Sequence, residues 1–222
     1  LNHRAGLPYI DGKLSLEDCT RPDRRDHVLD VLERQRPAWT PDTRQAYHAI
    51  TFGMYAGELF TRVAERSIGS FLRTELLDPL GSDAFVGTPE EEDVKLARIY
   101  APTVPRRVAT LVSAAAFAPQ TPEGRLAREL VLPSSVSRRV FSNPASGWQG
   151  VLAYDRPEVW RAELAWASAT ASADGLARAY LPFSTGGSVA GQRFFSEASL
   201  QPLFERQSWS WRDEVLHKPA GW

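Results

Sequence analysis

The chain has 222 residues, which is long enough to bury one sizeable hydrophobic core. Its 26 basic and 27 acidic side chains give a formal charge of -1, so no overall field attracts nucleic acid or an anionic membrane. The single cysteine, Cys19, excludes an internal disulfide and favours a reducing, cytoplasmic location, and no apolar run approaches the roughly 20 residues of a transmembrane helix.

Helical patterns dominate the first half of the chain. Glycine and proline recur over residues 1–25, which we predict to be a loop, and a helix over residues 24–36 ends before Pro37. The strongest helical pattern covers residues 47–66, because its apolar side chains fall on one face. Ser67 is the predicted N-cap of a further helix that ends at Leu77.

The second half alternates short helical patches with proline and serine turns over residues 88–154. Pro157 begins a predicted helix over residues 158–167, another covers residues 174–183, and Ser196 caps a third. The best strand candidates are residues 83–87 and 192–195. The sequence therefore predicts a mostly helical chain with few strands.

One segment carries a motif with chemical meaning: residues 39–53, in which the turn Thr-Pro-Asp-Thr comes shortly before Tyr47. This segment resembles the second motif of the serine β-lactamase-like hydrolases, a superfamily that includes esterases, class C β-lactamases and D-alanyl-D-alanine peptidases. In that family a tyrosine at this position relays protons for a serine nucleophile. The resemblance implies that Tyr47 is a catalytic residue.

Five further segments resemble segments of the same family, in the family's order along the chain. They are residues 1–8, 66–71, 77–81, 172–178 and 186–191. The resemblance implies an α+β fold of the serine β-lactamase/transpeptidase type, an antiparallel sheet flanked by helices, of which this chain covers mainly the helical region. We expect residues 1–222 to form a single partial domain that lacks both ends of the full domain.

One departure from the family pattern bears on the substrate. The β-lactamases have Tyr-x-Asn, whose asparagine holds the side-chain amide of the substrate, whereas this chain has Tyr47-His48-Ala49. Alanine forms no such bond, which favours esters over β-lactams and peptides. His48 and Trp39 are further candidate substrate contacts, with Trp39 as a wall of an acyl pocket. A packing role stays open for both, and His3 is interpreted as a structural, hydrogen-bonding residue.

A serine nucleophile that has no histidine base can use a lysine one helical turn later, because positions i and i+3 share a face. No Ser-x-x-Lys precedes any of the three lysines, so we expect this motif before Leu1 and the third motif beyond Trp222. The 222 residues alone are expected to be inactive. Ser188 lies one residue short of a G-x-S-x-G motif, and no orienting residue marks Cys19, so neither is predicted as a nucleophile.

The predicted function is that of a carboxylesterase, which acts on small-molecule esters through an acyl-serine intermediate in the full-length protein. Its histidines lack metal-ligand spacing, and we expect no metal, no cofactor and no nucleic-acid or membrane partner. Three alternatives stay open. They are a non-catalytic member of the same fold, a β-lactamase or D-alanyl-D-alanine peptidase, and an unrelated helical domain, which a Tyr47 buried away from any cleft would favour.

Overall fold

The computed structural model describes residues 2–222, so Leu1, the first residue of the loop predicted over residues 1–25, lies outside the described residues. Helices dominate this part of the chain and its strands are short, as the sequence predicts. The α-helices are Leu16–Thr20 (α1), Arg25–Arg34 (α2), Thr51–Ala64 (α3), Ile68–Leu72 (α4), Val104–Phe117 (α5), Pro122–Val131 (α6), Val136–Ser142 (α7), Pro157–Arg161 (α8), Ala173–Ser184 (α9) and Glu197–Leu200 (α10). The strands are Ala84–Val86 (β1), Ala169–Ala171 (β2), Ser188–Val189 (β3), Gln192–Arg193 (β4), Trp209–Ser210 (β5) and Ala220–Gly221 (β6).

The described residues divide into two compact units. The first unit contains residues 2–53, 98–155 and 208–222, and the second contains residues 54–97 and 156–207. All four candidate site residues, at positions 39, 47, 48 and 49, belong to the first unit. The expectation that residues 1–222 form a single partial domain stays a prediction.

A core built from four parts of the chain holds the first unit together. Tyr9, Ala46, Val140 and Val215 are each at most 9% exposed. The partly buried side chains that pack against this core cluster are Trp39, Tyr47, Ala49 and Val136. Removing apolar surface from water stabilises a fold by roughly 25 cal/mol per Å². The same packing brings the residues around position 47 next to those around position 215.

Helices α5 and α6 of the first unit are longer than the short patches that the sequence predicts, with 14 and 10 residues. The prediction was wrong because Pro105 and Pro122 lie in the first turns, where a proline begins a helix rather than interrupting it. Thr121 caps α6 by accepting a hydrogen bond from the Gly124 N–H at 3.1 Å. A Cβ on Gly124 would lie 1.9 Å from the carbonyl oxygen of Ala118, so only glycine allows the two helices to meet this closely.

The second unit contains the antiparallel pair β1 and β2, in which Ala84 lies opposite Ala171. Helix α9 begins directly after β2, with Ser172 as its N-cap. A Cβ on Gly175 would lie 2.2 Å from the carbonyl oxygen of Asp83, so this helix approaches the strand at a glycine. The strand predicted over residues 83–87 is confirmed, and its partner β2 was not predicted.

Several predicted element boundaries differ from the structure. The helix predicted from Tyr47 begins at Thr51, because residues 45–48 form hydrogen bonds with other segments of the chain. The helix predicted over residues 158–167 ends at Arg161, and the strand predicted over residues 192–195 has only two residues. Helix α1 lies in the predicted loop, because the capping box of Ser15 and Asp18 satisfies its first backbone donors.

The predicted caps at Ser67 and Ser196 are confirmed. Each hydroxyl accepts a hydrogen bond from the backbone N–H three residues later, at 3.2 Å from Ser70 and at 3.1 Å from Ser199. Among the described residues, no helix combines the length and the apolar composition that are needed to cross a membrane.

Candidate active site around Tyr47

Tyr47 lies in a segment without helix or strand, residues 44–48, that precedes α3. This tyrosine segment runs between residues 3–7 on one side and residues 213–220 on the other, and it forms hydrogen bonds with both. Residues 46 and 48 bond to the first neighbour, and residues 45 and 47 bond to the second. Successive residues of the segment thus bond alternately to the two neighbours.

His3 holds the tyrosine segment on one side. Its carbonyl oxygen accepts the N–H of Ala46 at 3.1 Å, and its Nδ1 accepts the N–H of His48 at 3.0 Å. His48 continues the contact, because its Nε2 accepts the N–H of Leu7 at 3.2 Å. The Nδ1 of His48 lies 2.5 Å from the carbonyl oxygen of Ala46. Since a carbonyl only accepts, this nitrogen carries the proton of the His48 ring.

Both ring nitrogens of His48 are therefore bonded to the backbone of the chain, and the residue is 4% exposed. The packing role that the sequence leaves open for His48 fits this geometry, whereas a substrate contact through its nitrogens does not. Burial lowers the pKa of His48. Burial, followed by the neighbouring His48, lowers the pKa of His3 to about 4. Both rings are consequently neutral at pH 7.

Asp213 holds the tyrosine segment on the other side. It is 0% exposed, and its Oδ1 accepts the backbone N–H of Tyr47 at 3.1 Å. Next to Asp213, the N–H of Glu214 donates to the carbonyl oxygen of Gln45 at 3.0 Å. The Nε2 of Gln45 in turn donates to the carbonyl oxygen of Ala220 at 2.9 Å. The sequence does not single out Asp213, because its partner lies 166 residues away and no local pattern marks the pair.

The ring of Tyr47 belongs to an aromatic cluster with His3, Phe52 and Trp222. It stacks on the Trp222 ring, with an interplanar angle of 7° and 5.6 Å between centroids, and the His3 ring lies 4.1 Å from Trp222. Phe52 and Trp222 are each 37% exposed and Tyr47 is half-buried, so the cluster forms part of the surface. Within residues 2–222, Tyr47 forms a hydrogen bond through its backbone N–H and none through its hydroxyl.

Trp39 and Ala49, like Tyr47, are partly buried and pack against the core cluster. The Arg44 guanidinium lies 5.8 Å from the centroid of the Trp39 ring. The Nε1 of Trp39 is buried and forms no hydrogen bond within the described part of the chain. A wall of an acyl pocket at Trp39 stays a prediction.

Cys19 and Ser188 do not have the environment that a catalytic nucleophile requires. Burial, followed by the charge of Asp18, raises the pKa of Cys19 to about 12, so its thiol is protonated at neutral pH. Ser188 lies in β3 of the β3–β4 hairpin, opposite Arg193, and not on the strand-to-helix turn of a G-x-S-x-G site. Among residues 2–222 there is no cluster of three or more metal-ligating side chains.

One buried group has the composition of a catalytic triad. Ser137 is 0% exposed, and its Oγ lies 3.4 Å from the Nε2 of His217 and hydrogen-bonds to Glu129. The carboxylate of Glu129 lies 3.3 Å from that same nitrogen. A triad needs the serine and the acid on opposite ring nitrogens, with the hydroxyl accessible to substrate. The Ser137 group therefore has a structural role.

Comparison with protein-family models matches residues 1–222 to the family described as Beta-lactamase. This chain belongs to the beta-lactamase family. It is 30% identical over 207 residues to another protein of related sequence, Esterase/beta-lactamase LipL of Mycobacterium tuberculosis (strain ATCC 25618 / H37Rv). That alignment covers 88% of this chain and 42% of LipL, so the chain spans less than half the length of this curated relative.

Solved structures share the fold of this beta-lactamase family chain. They are a penicillin-binding protein homologue from Caulobacter crescentus (24% identity, TM-score 0.73), a family VIII carboxylesterase (23%, 0.74) and EstA from Arthrobacter nitroguajacolicus Rue61a (23%, 0.75). Each alignment covers 99% of this chain and 51% or 52% of the solved chain. The predicted α+β fold of the serine β-lactamase/transpeptidase type is confirmed, and the alternative of an unrelated helical domain is excluded.

Proposed function

We propose that this chain carries the proton-relaying tyrosine of a serine hydrolase and that the full-length protein hydrolyses small carboxylic esters through an acyl-serine intermediate. The placement of Tyr47 carries the proposal. Its ring lies in a partly exposed aromatic cluster, its hydroxyl makes no hydrogen bond within residues 2–222, and its backbone N–H is bonded to Asp213. The chain around it belongs to the beta-lactamase family.

The proposed reaction requires the Tyr47 oxygen to accept a proton and then to donate it. In acylation the serine hydroxyl gives up its proton as its oxygen attacks the ester carbonyl, and the leaving alcohol receives a proton. A phenol has an unperturbed pKa of about 10, so it needs a nearby cation to serve as a base at neutral pH. His3 and His48 are neutral and do not supply that charge. We assign this positive charge to a lysine that accompanies the serine nucleophile. In this proposal both residues lie outside residues 2–222.

The residue two positions after Tyr47 supports esters as the substrate class. Ala49 presents a methyl group, which packs against the core cluster and offers no hydrogen bond to a substrate amide. A β-lactam amide placed there would lose its water without gaining a partner, at a cost of about 1–3 kcal/mol. Hydrolysis of β-lactams is the second candidate, because the name of the relative LipL includes both activities.

The test measures kcat/KM of the full-length protein for p-nitrophenyl butyrate and for a chromogenic cephalosporin. We expect the ester to be the better substrate. Ala49→Asn should raise the ratio of cephalosporin to ester activity by roughly 5- to 150-fold, which corresponds to 1–3 kcal/mol. Ala49→Leu is the matched control, because it adds similar bulk without an amide and should not raise this ratio.

Two outcomes would contradict the proposal. An unmodified protein that hydrolyses the cephalosporin faster than the ester is a β-lactamase. A full-length protein that is folded and turns over neither compound has kept the scaffold without the chemistry, which was the non-catalytic alternative.

A further inference from the structure

The Asp213 carboxylate forms an unusual set of hydrogen bonds. One oxygen, Oδ1, accepts three backbone N–H groups, those of Val215 at 2.9 Å, Leu216 at 3.0 Å and Tyr47 at 3.1 Å. The other oxygen, Oδ2, is buried and forms no hydrogen bond within the described residues. A buried carboxylate is costly unless hydrogen bonds compensate for its lost water. Within the described residues, every hydrogen bond that compensates the buried Asp213 carboxylate is therefore accepted by one atom, Oδ1.

Two of these three bonds are local and have a familiar purpose. An aspartate commonly accepts the N–H groups two and three residues later, which closes a turn. In this chain the turn is completed by the N–H of His217, which bonds to the Asp213 carbonyl oxygen at 3.0 Å. The third bond is not needed for the turn. It reaches across to the residue whose hydroxyl is proposed to move the proton.

The same segment also contacts the ring of Tyr47. Residues 213–222 end in β6 and Trp222, and the Trp222 backbone pairs with Ser208 through hydrogen bonds of 2.9 and 3.1 Å. The Trp222 ring then stacks on the Tyr47 ring. Backbone and ring of Tyr47 are thus both held by one segment, whose first residue is Asp213.

We infer that Asp213 is a positioning residue: its Oδ1 fixes the backbone of Tyr47, so that the phenol oxygen is held where the proton transfer needs it. The inference rests on the proposed function. Catalysis by proton transfer requires hydrogen-bond reach between the reacting atoms, and a displacement of about 1 Å can lower a rate by roughly 10²-fold.

The decisive variant is Asp213→Ser. A serine hydroxyl still accepts the N–H groups two and three residues later and keeps the turn, but its shorter side chain does not reach the N–H of Tyr47. In the full-length protein we expect kcat for p-nitrophenyl butyrate to fall about 10- to 100-fold, with KM changed less than about threefold. Asp213→Asn keeps an oxygen at the Oδ1 position and should recover most of kcat.

A double-mutant cycle with Tyr47→Phe separates positioning from general loosening of the fold. If Asp213 acts through the Tyr47 hydroxyl, Asp213→Ser should lower kcat no further once that hydroxyl is gone. Ser137→Ala is the matched control. It removes a buried hydroxyl that contacts the carbonyl oxygen of Val215, in the same turn, without touching Tyr47. We expect its kcat to stay within about threefold of the unmodified protein.

A measurement that does not depend on activity tests the bond itself. Hydrogen exchange at the Tyr47 amide should be faster in Asp213→Ser than in Asp213→Asn, because only the second variant keeps the acceptor. Three results would overturn the inference: losses in kcat that multiply in the double variant, an equal loss in Ser137→Ala, or equal exchange in the two Asp213 variants. A Tyr47→Phe variant with unchanged kcat would overturn the proposed function, and the inference with it.

Discussion

His3 and His48 hold the tyrosine segment through unprotonated ring nitrogens, which accept the N–H groups of His48 and Leu7. Protonating Nδ1 of His3 would remove the acceptor for His48. The pKa of His3 is lowered from 6.5 to about 4, first by burial. Between these values the unfolded chain binds more protons than the folded one, so the free energy of unfolding falls as the pH falls from 6.5 towards 4. At 1.36 kcal/mol per unit, His3 accounts for at most about 3 kcal/mol of this loss.

His3→Asn should weaken this pH dependence. Asparagine tolerates the φ of 60° at position 3, and its side-chain oxygen can accept the His48 N–H, but it does not titrate. Urea unfolding at pH 7 and at pH 4.5 provides the measurement. The unmodified protein should lose about 2–3 kcal/mol more than the variant between these two pH values.

Asp18 is a useful reference for this experiment. Hydrogen bonds from Ser15 lower its pKa to about 2, so its contribution to stability is complete above its unfolded value and is lost only below about pH 4. It therefore does not affect the interval above pH 4.5. Equal losses in the unmodified protein and in His3→Asn would show that His3 does not cause the acid sensitivity.

At the level of the helices, two glycines differ in what surrounds them. Gly124 of α6 faces the carbonyl oxygen of Ala118, whereas a Cβ on Gly57 of α3 would lie 3.4 Å from the Ala165 methyl group. Gly124→Ala should lower the free energy of unfolding by about 1–3 kcal/mol, the usual cost of overpacking. Gly57→Ala should raise it by up to about 1 kcal/mol, because alanine favours a helix more than glycine does. Denaturant unfolding of both variants tests the pair, and equal effects would mean that α5 and α6 do not meet as closely as described.

Local sequence predicts that helices form after Ser67 and Ser196 and at Pro157. It does not predict how long the helices are or where α3 begins. The caps at Ser67 and Ser196 and the proline at the start of α8 are local signals, and each marks a helix that forms. The apolar pattern that begins at Tyr47 is also real, but α3 begins four residues later, at Thr51. The N–H groups of residues 46–48 are already bonded to His3 and Asp213, and pairing over such distances in sequence leaves no local trace.

For the molecule as a whole, the sequence predicts the family, the fold and the candidate tyrosine, but not the surroundings of that tyrosine. Family segments in order along the chain are sufficient for the fold, and the family match over residues 1–222 confirms it. Asp213 and Trp222 were missed, because each meets Tyr47 only after the two ends of the first unit come together. The chain spans 42% of LipL and about half of the solved relatives, so the nucleophile and the activity remain proposals.

The central claim is that the Tyr47 hydroxyl takes part in chemistry. Its most direct test is kcat of the full-length protein for p-nitrophenyl butyrate after Tyr47→Phe, which removes one oxygen and keeps the stacked ring. The matched control is Tyr9→Phe, which changes a tyrosine of the core cluster in the same unit. We predict that Tyr47→Phe lowers kcat by roughly 10²- to 10⁴-fold with KM and thermal stability nearly unchanged, while Tyr9→Phe leaves kcat as it was. A Tyr47→Phe variant with kcat within a few-fold of the unmodified protein would contradict the account and make Tyr47 a structural residue.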